Sequence, residues 1–208
     1  MIDLDRLIYS AFRYLFRYLL VAFFDFRAFG AGQVPQQGGV VLASNHQSFF
    51  DPILIGLPLR RRIRCAARDS LFRNPIIGLA LRAVGGTPIS RESFGAEDLK
   101  NLVQIVEEGG ALVVFPEGTR TRDGERGTPR RGFALVAERA RAPVVPVLIE
   151  GAHEAWPRHR QLFRRHRLRV VFGEAIHPPA AGEAEGLVER VSSAWAEMEA
   201  RLRVMHSS

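Results

Sequence analysis

The chain has 208 residues, enough for one domain with a full core, and its 47% hydrophobic and 25% charged content excludes a disordered or fibrous protein. Its formal net charge of +7 is almost wholly arginine, with Lys100 the only lysine, which suits partners bearing phosphate or carboxylate. Cys65 is the sole cysteine, which excludes an internal disulfide and a cysteine-rich metal site. A biased base composition also explains many arginines, so their positions carry more than their number.

Residues 7–26 are apolar or aromatic apart from a few polar positions, and Arg6, Ser10, Arg13 and Arg17 recur along one stripe of a helix. As a transmembrane span, this segment would bury two arginines at about 3 kcal/mol each. Lying in the interface, arginines toward lipid phosphates and phenylalanines sunk, it avoids that cost. Asp3 and Asp5 spoil the positive region of a signal peptide, and Asp25 and Arg27 crowd a cleavage site. The pattern predicts an amphipathic interfacial anchor over residues 1–29, continuous or broken near Tyr18. A true span and a buried core helix are the competing readings.

Beyond it, apolar strand-like runs recur at 39–44, 62–67, 84–89, 111–115, 144–149 and 168–173. Helix-like stretches fall at 52–58, 75–83, 96–108, 131–141 and 186–205, and the glycines and proline of 121–130 mark a loop. The alternation predicts one α/β domain over 30–208, with a mostly parallel or mixed sheet flanked by helices.

Polar clusters follow two of these runs. His46 and Asp51 stand five residues apart after Val40–Ala43. An alcohol nucleophile needs a base poised near neutrality, which imidazole supplies, and a carboxylate on its other nitrogen steadies the imidazolium. Asp51 before Pro52 equally reads as a helix N-cap followed by proline at the first helical position, and both roles are compatible. After Ala111–Phe115 comes Pro116-Glu117-Gly118-Thr119-Arg120, where glycine, hydroxyl and guanidinium suit a phosphate; a polar turn with a surface ion pair is the plainer reading. Glu117 fits a pure phosphate site poorly, so it either orients Arg120 or meets a substrate hydroxyl. Gly86–Arg91 brings a second arginine to a strand end, and Pro146 interrupts the 144–149 run, which locally predicts a sheet edge or bulge.

The segment 158–169 carries Arg158, Arg160, Arg164, Arg165, Arg167 and Arg169. It reads as a solvated loop, or as a contact for anionic lipid headgroups or an acyl carrier; no interleaved aromatic platform supports nucleic acid. No Gly-x-Ser-x-Gly elbow, Walker loop, dinucleotide fingerprint or paired-histidine metal motif is present.

Together these blocks resemble the glycerolipid acyltransferase family, of the lysophosphatidic acid acyltransferase (PlsC-like) type. Asn45-His46-x4-Asp51 is similar to its His-x4-Asp motif, Gly86–Arg91 to its second block, Phe115–Arg120 to its third and Val145-Pro146-Val147 to its fourth, in the family's order. Arg68-Asp69 stands where the family often has lysine and glutamate, and Pro88 where an apolar residue is common, which loosens the placement of Arg91.

The resemblance implies acyl transfer from acyl-CoA or acyl-carrier protein to the free hydroxyl of a lysolipid, lysophosphatidic acid first, in phospholipid biosynthesis. It implies His46 and Asp51 as the catalytic pair and Arg91, Glu117, Gly118, Thr119, Arg120 and Pro146 as the substrate-binding set. It further implies no metal and no cofactor beyond the donor, and a peripheral or monotopic place on the cytoplasmic face of the cell membrane. Another lysophospholipid or a lyso-aminolipid is the alternative acceptor. A thioesterase using the same pair on water, or a lipid-binding module without turnover, are the rival functions.

Overall fold

The computed structural model describes residues 18, 20–68, 73, 86–89, 95–157, 160, 162–177 and 184–206. The stripe Arg6, Ser10, Arg13 and Arg17, the expected helix 75–83 and Arg91 lie outside the described residues.

Among the described residues seven strands form one sheet: β1 (Arg27–Phe29), β2 (Val40–Ser44), β3 (Ile63–Arg68), β4 (Gly86–Ile89), β5 (Ala111–Val114), β6 (Val144–Glu150) and β7 (Arg169–Phe172). Their order is β1-β7-β6-β2-β5-β3-β4, and every neighbouring pair is parallel except β6 with β7. The helices are α1 (Asp51–Gly56), α2 (Ala96–Glu107), α3 (Gly132–Arg139), α4 (Ala152–Ala155) and α5 (Ala184–His206).

β2 lies at the centre, hydrogen-bonded to strands on both sides, and all five of its residues are buried. A parallel strand covered on both faces needs an unbroken apolar run, and Val-Val-Leu-Ala supplies it. Alternation then divides the core. Val40 and Leu42 pack with Phe24, Phe50 and α1 on one face, and Val41 and Ala43 pack with α2, α3 and α5 on the other. The indole N–H of Trp195 on α5 reaches through the second layer to the Ala43 carbonyl at 3.2 Å.

β1 and α4 have no counterpart among the sequence expectations, because elements of three and four residues show no period. Residues ahead of position 30 also pack onto the core. Leu20 and Phe24, one helical turn apart, are buried with Phe26 in the first core, while Val21 and Phe23 remain exposed. Asp25 accepts an ion pair from Arg169 at 2.7 Å, and β1 pairs with β7. The folded unit therefore begins ahead of residue 30. No helix among the described residues is long and apolar enough to cross a membrane.

Pro146 is not at a sheet edge. It sits inside β6, level with Ala43 of β2, at the point where the β7 ladder stops: β7 pairs with residues 147–150, and Gly173 donates to the Pro146 carbonyl at 2.8 Å. The missing amide falls where the ladder is interrupted, which is how an interior strand tolerates proline. Pro88 meets the same constraint differently, in the outermost strand β4.

Truncating Leu42, fully buried in the central strand, is expected to lower the unfolding free energy by about 2–5 kcal/mol, read from urea denaturation of Leu42→Ala.

Candidate active site

The carboxyl ends of β2, β5 and β6 lie side by side, so the loops leaving them meet at one edge of the sheet, where an open α/β sheet places its chemistry. The β2 loop contributes His46 and Asp51. Nδ1 of His46 and Oδ2 of Asp51 are 2.7 Å apart, with the carboxylate fully buried and the imidazole about one-fifth exposed. The same oxygen accepts from the backbone amides of Gln47 at 2.6 Å and Ser48 at 2.8 Å. Asp51 thus begins α1, but its carboxylate turns back onto the preceding loop instead of capping the helix; the N-cap position is Phe50. Oδ1 of Asp51 is buried with no hydrogen-bond partner among the described residues. With Nδ1 engaged, Nε2 is the nitrogen left to exchange a proton with a substrate.

Side chains of the same loop anchor it to its neighbours. The Asn45 amide donates to the Ile149 carbonyl at 2.9 Å and accepts from the Ile149 amide at 2.7 Å, extending the β2–β6 contact past the end of β2. Gln47 Oε1 accepts from the amides of Ala152 and His153 at the start of α4, and Ser48 Oγ donates to the Trp156 carbonyl at 2.9 Å. Their separations of over 100 residues hide these contacts from sequence reading; the only signal is the density of polar residues in Ser44–Ser48.

The β5 loop closes the site from the other side. Phe115 stacks on the His46 ring with centroids 3.9 Å apart and planes 15° from parallel. Glu117 is buried: Oε1 accepts from the His46 amide at 3.1 Å and Oε2 from the Gly127 amide at 3.0 Å. The Thr121 amide donates to the His46 carbonyl at 2.8 Å, so both backbone groups of His46 are held by this loop. Gly118, with φ at 71°, makes the turn that its left-handed backbone requires, and its amide donates to the Phe115 carbonyl at 2.9 Å. Gly118 and Thr119 are exposed at the rim, and the Arg120 guanidinium carbon lies 3.5 Å from the Phe49 ring centroid. The fold therefore brings His46, Asp51, Glu117, Gly118, Thr119 and Arg120 to one corner. Glu117 turns to backbone amides, one oxygen accepting from His46 and the other from Gly127. Pro146 is not brought to the corner: its register with Ala43 points it to the face under α3 and α5, short of the strand's carboxyl end.

Burial pushes Glu117 above the ordinary carboxylate range, against the amides of Gly127 and His46, which pull it down. Cys65 is buried too; burial and the negative charge of Asp51 push its thiol up to about 12, leaving it a poor nucleophile.

Residues 26–150 match the Acyltransferase family. A 1-acyl-sn-glycerol-3-phosphate acyltransferase of Bacillus subtilis (strain 168) is 27% identical over 183 residues, 85% of this chain and 89% of that one. A chloroplastic 1-acyl-sn-glycerol-3-phosphate acyltransferase of Brassica napus is 32% identical over 71% of this chain, which spans only 42% of that longer relative. The fold is similar to the crystal structure of the 1-acyl-sn-glycerophosphate (LPA) acyltransferase PlsC from Thermotoga maritima, with a TM-score of 0.82, 22% identity, and coverage of 98% of this chain and 84% of that one.

A raised carboxyl makes folding favour the protonated form, so the Glu117 contribution to stability is present at low pH and lost as the pH rises through its folded pKa. Glu117→Gln, which cannot ionise, should lose less stability than the unaltered protein as the pH rises upward from the ordinary glutamate pKa of about 4.3. Urea midpoints compared over that rise test this; superimposable pH profiles would contradict it.

Proposed function

Because the chain belongs to the Acyltransferase family, we propose that it moves a fatty acyl group from a thioester, acyl-CoA or acyl-carrier protein, to the free hydroxyl of lysophosphatidic acid, giving phosphatidic acid. The reading rests on one observation above all: the His46–Asp51 pair at 2.7 Å, with the imidazole packed against the corner that carries Arg120.

In this reading Nε2 of His46 takes the acceptor's hydroxyl proton as the oxygen attacks the thioester carbonyl. Asp51 holds the ring by Nδ1 and stabilises the imidazolium, the more so for being shielded from water. The tetrahedral intermediate collapses with loss of the thiolate, which receives the proton from Nε2, so ester and free thiol leave together. No acyl-enzyme forms, and Cys65 takes no part. Arg120, with Gly118 and Thr119 beside it and Arg91 from the second block, holds the acceptor's phosphate and glycerol. Glu117 acts one step back, as a tether that sets the backbone of His46. Holding acceptor and base together supplies a large share of the rate.

The acceptor and the acyl chains are amphiphiles, so the enzyme works at a membrane surface. The exposed Val21 and Phe23 fit the interfacial anchor expected over residues 1–29, and placement on the cytoplasmic side follows from where soluble thioester donors are found.

His46→Ala is expected to lower kcat by about 10²–10⁴, measured as acyl transfer by purified protein with the product identified by mass. Wild-type rates in that variant would remove the central assignment. Arg120→Ala is expected to raise KM for lysophosphatidic acid by about 10–100-fold while affecting an uncharged acceptor much less. Equal effects on both acceptors would move the phosphate site elsewhere. Assaying both donor types against several lysolipids in the same format separates the proposed acceptor from its alternatives, and donor consumption without acceptor would reveal a thioesterase.

A further inference from the structure

The described residues of the arginine-rich segment after α4 are tied back to α4 by hydrogen bonds. The Arg164 amide donates to the Ala155 carbonyl at 2.8 Å, its Nε donates to the Glu154 carbonyl at 2.6 Å, and the Trp156 indole donates to the Arg160 carbonyl at 3.0 Å. At the other end Gly151, with φ at 83°, leaves room for the Arg167 carbonyl that any Cβ would strike. On this braced loop Leu162 is 79% exposed and Phe163 51% exposed, the reverse of what water alone would select.

These side chains are not isolated. The Phe163 ring packs edge-on against Phe23, with centroids 5.9 Å apart, and Phe23 is itself half-exposed beside Val21. In the other direction Phe163 neighbours Trp156 at 6.2 Å, Trp156 neighbours Phe49 at 5.7 Å, and Phe49 lies under Arg120. One aromatic path therefore runs from the loop tip to the rim of the site. The charge around the tip has one sign: from residue 157 to 173 the sequence has no Asp or Glu, and Arg160, Arg165 and Arg167 are exposed on either side of Leu162 and Phe163. Asp25 offsets part of this, pairing with Arg167 at 3.9 Å and Arg169 at 2.7 Å.

We propose that Leu162 and Phe163 form a wedge that enters the apolar layer of an anionic bilayer while the flanking arginines meet its headgroups. It adds to the anchor expected over residues 1–29, whose Phe23 it touches, and it sets the mouth of the site against the lipid. An apolar tip inside a cationic collar matches a bilayer, which offers phosphate above and hydrocarbon below. An acidic carrier protein would answer the arginines as well, and the measurements below separate it from a bilayer.

The role of the wedge in turnover rests on the acyl-transfer reading; the bilayer contact does not. In the full chain, Phe163→Cys carries a polarity-sensitive fluorophore, and buried Cys65 stays unlabelled because its thiol is pushed up to about 12. Vesicles of phosphatidylglycerol should shift this label to the emission of an apolar setting, while a label at Met205→Cys on α5, across the sheet, stays aqueous. A Leu162→Ser/Phe163→Ser double variant should bind those vesicles about tenfold or more weakly. It should also keep its transfer rate to a short-chain, water-soluble lysophosphatidate without vesicles. A Phe163→Cys label that ignores vesicles, or that responds instead to an acyl-carrier protein, overturns the proposal, as does undiminished vesicle binding by the double variant. Failure of the wild type to acylate the soluble acceptor would count against the acyl-transfer reading alone, since the vesicle measurements are independent of it.

Discussion

Oδ2 of Asp51 meets Nδ1 of His46 and accepts from the amides of Gln47 and Ser48, three contacts between 2.6 and 2.8 Å on one buried oxygen. That convergence folds the five-residue link between imidazole and carboxylate into a single shape. It fixes which ring nitrogen faces outward and ties the loop to the first turn of α1. A carboxylate taken wholly out of water is costly unless it is compensated, and here two backbone donors and the imidazole compensate it. The unpartnered Oδ1 shows that the compensation is concentrated on the oxygen that matters for the ring.

The rest of the described site packs around that loop. Glu117 holds the amide of His46, Thr121 holds its carbonyl, and Phe115 holds the face of its ring. Asn45 and Gln47 secure the loop to β6 and α4. These contacts come from β5 and β6 because both lie parallel to β2 and end at the same edge of the sheet. Glu117, implied to bind substrate, holds two backbone amides, and the guanidinium of Arg120 lies over the Phe49 ring.

The aromatic side chains give the molecule a direction. Phe24 and Phe50 are buried in the first core, and Phe23, Phe49 and Phe163 continue it out to the surface. Ring contacts therefore run from the first core to exposed Phe23, Phe49 and Phe163. Such exposed rings suit an enzyme whose substrates live partly in lipid.

Much of this was legible in the chain itself. Apolar runs separated by helical periods dictate an α/β sheet, since a strand buried on both faces must be continuously apolar, and Val40–Ala43 is. The spacing of His46 and Asp51 permits a pair because five residues of loop can close on themselves without help from elsewhere. Short elements such as β1 and α4 left no period to read, and the burial of Leu20 and Phe24 was invisible where every neighbour is apolar as well. The second half of the site lay beyond sequence for a different reason. Whether Glu117 meets a substrate or the His46 amide, 71 residues away, and whether Pro146 faces the site or the helices behind it, depend on strand order and register. Local residue chemistry settles what a segment becomes; only the packed sheet settles which segments meet.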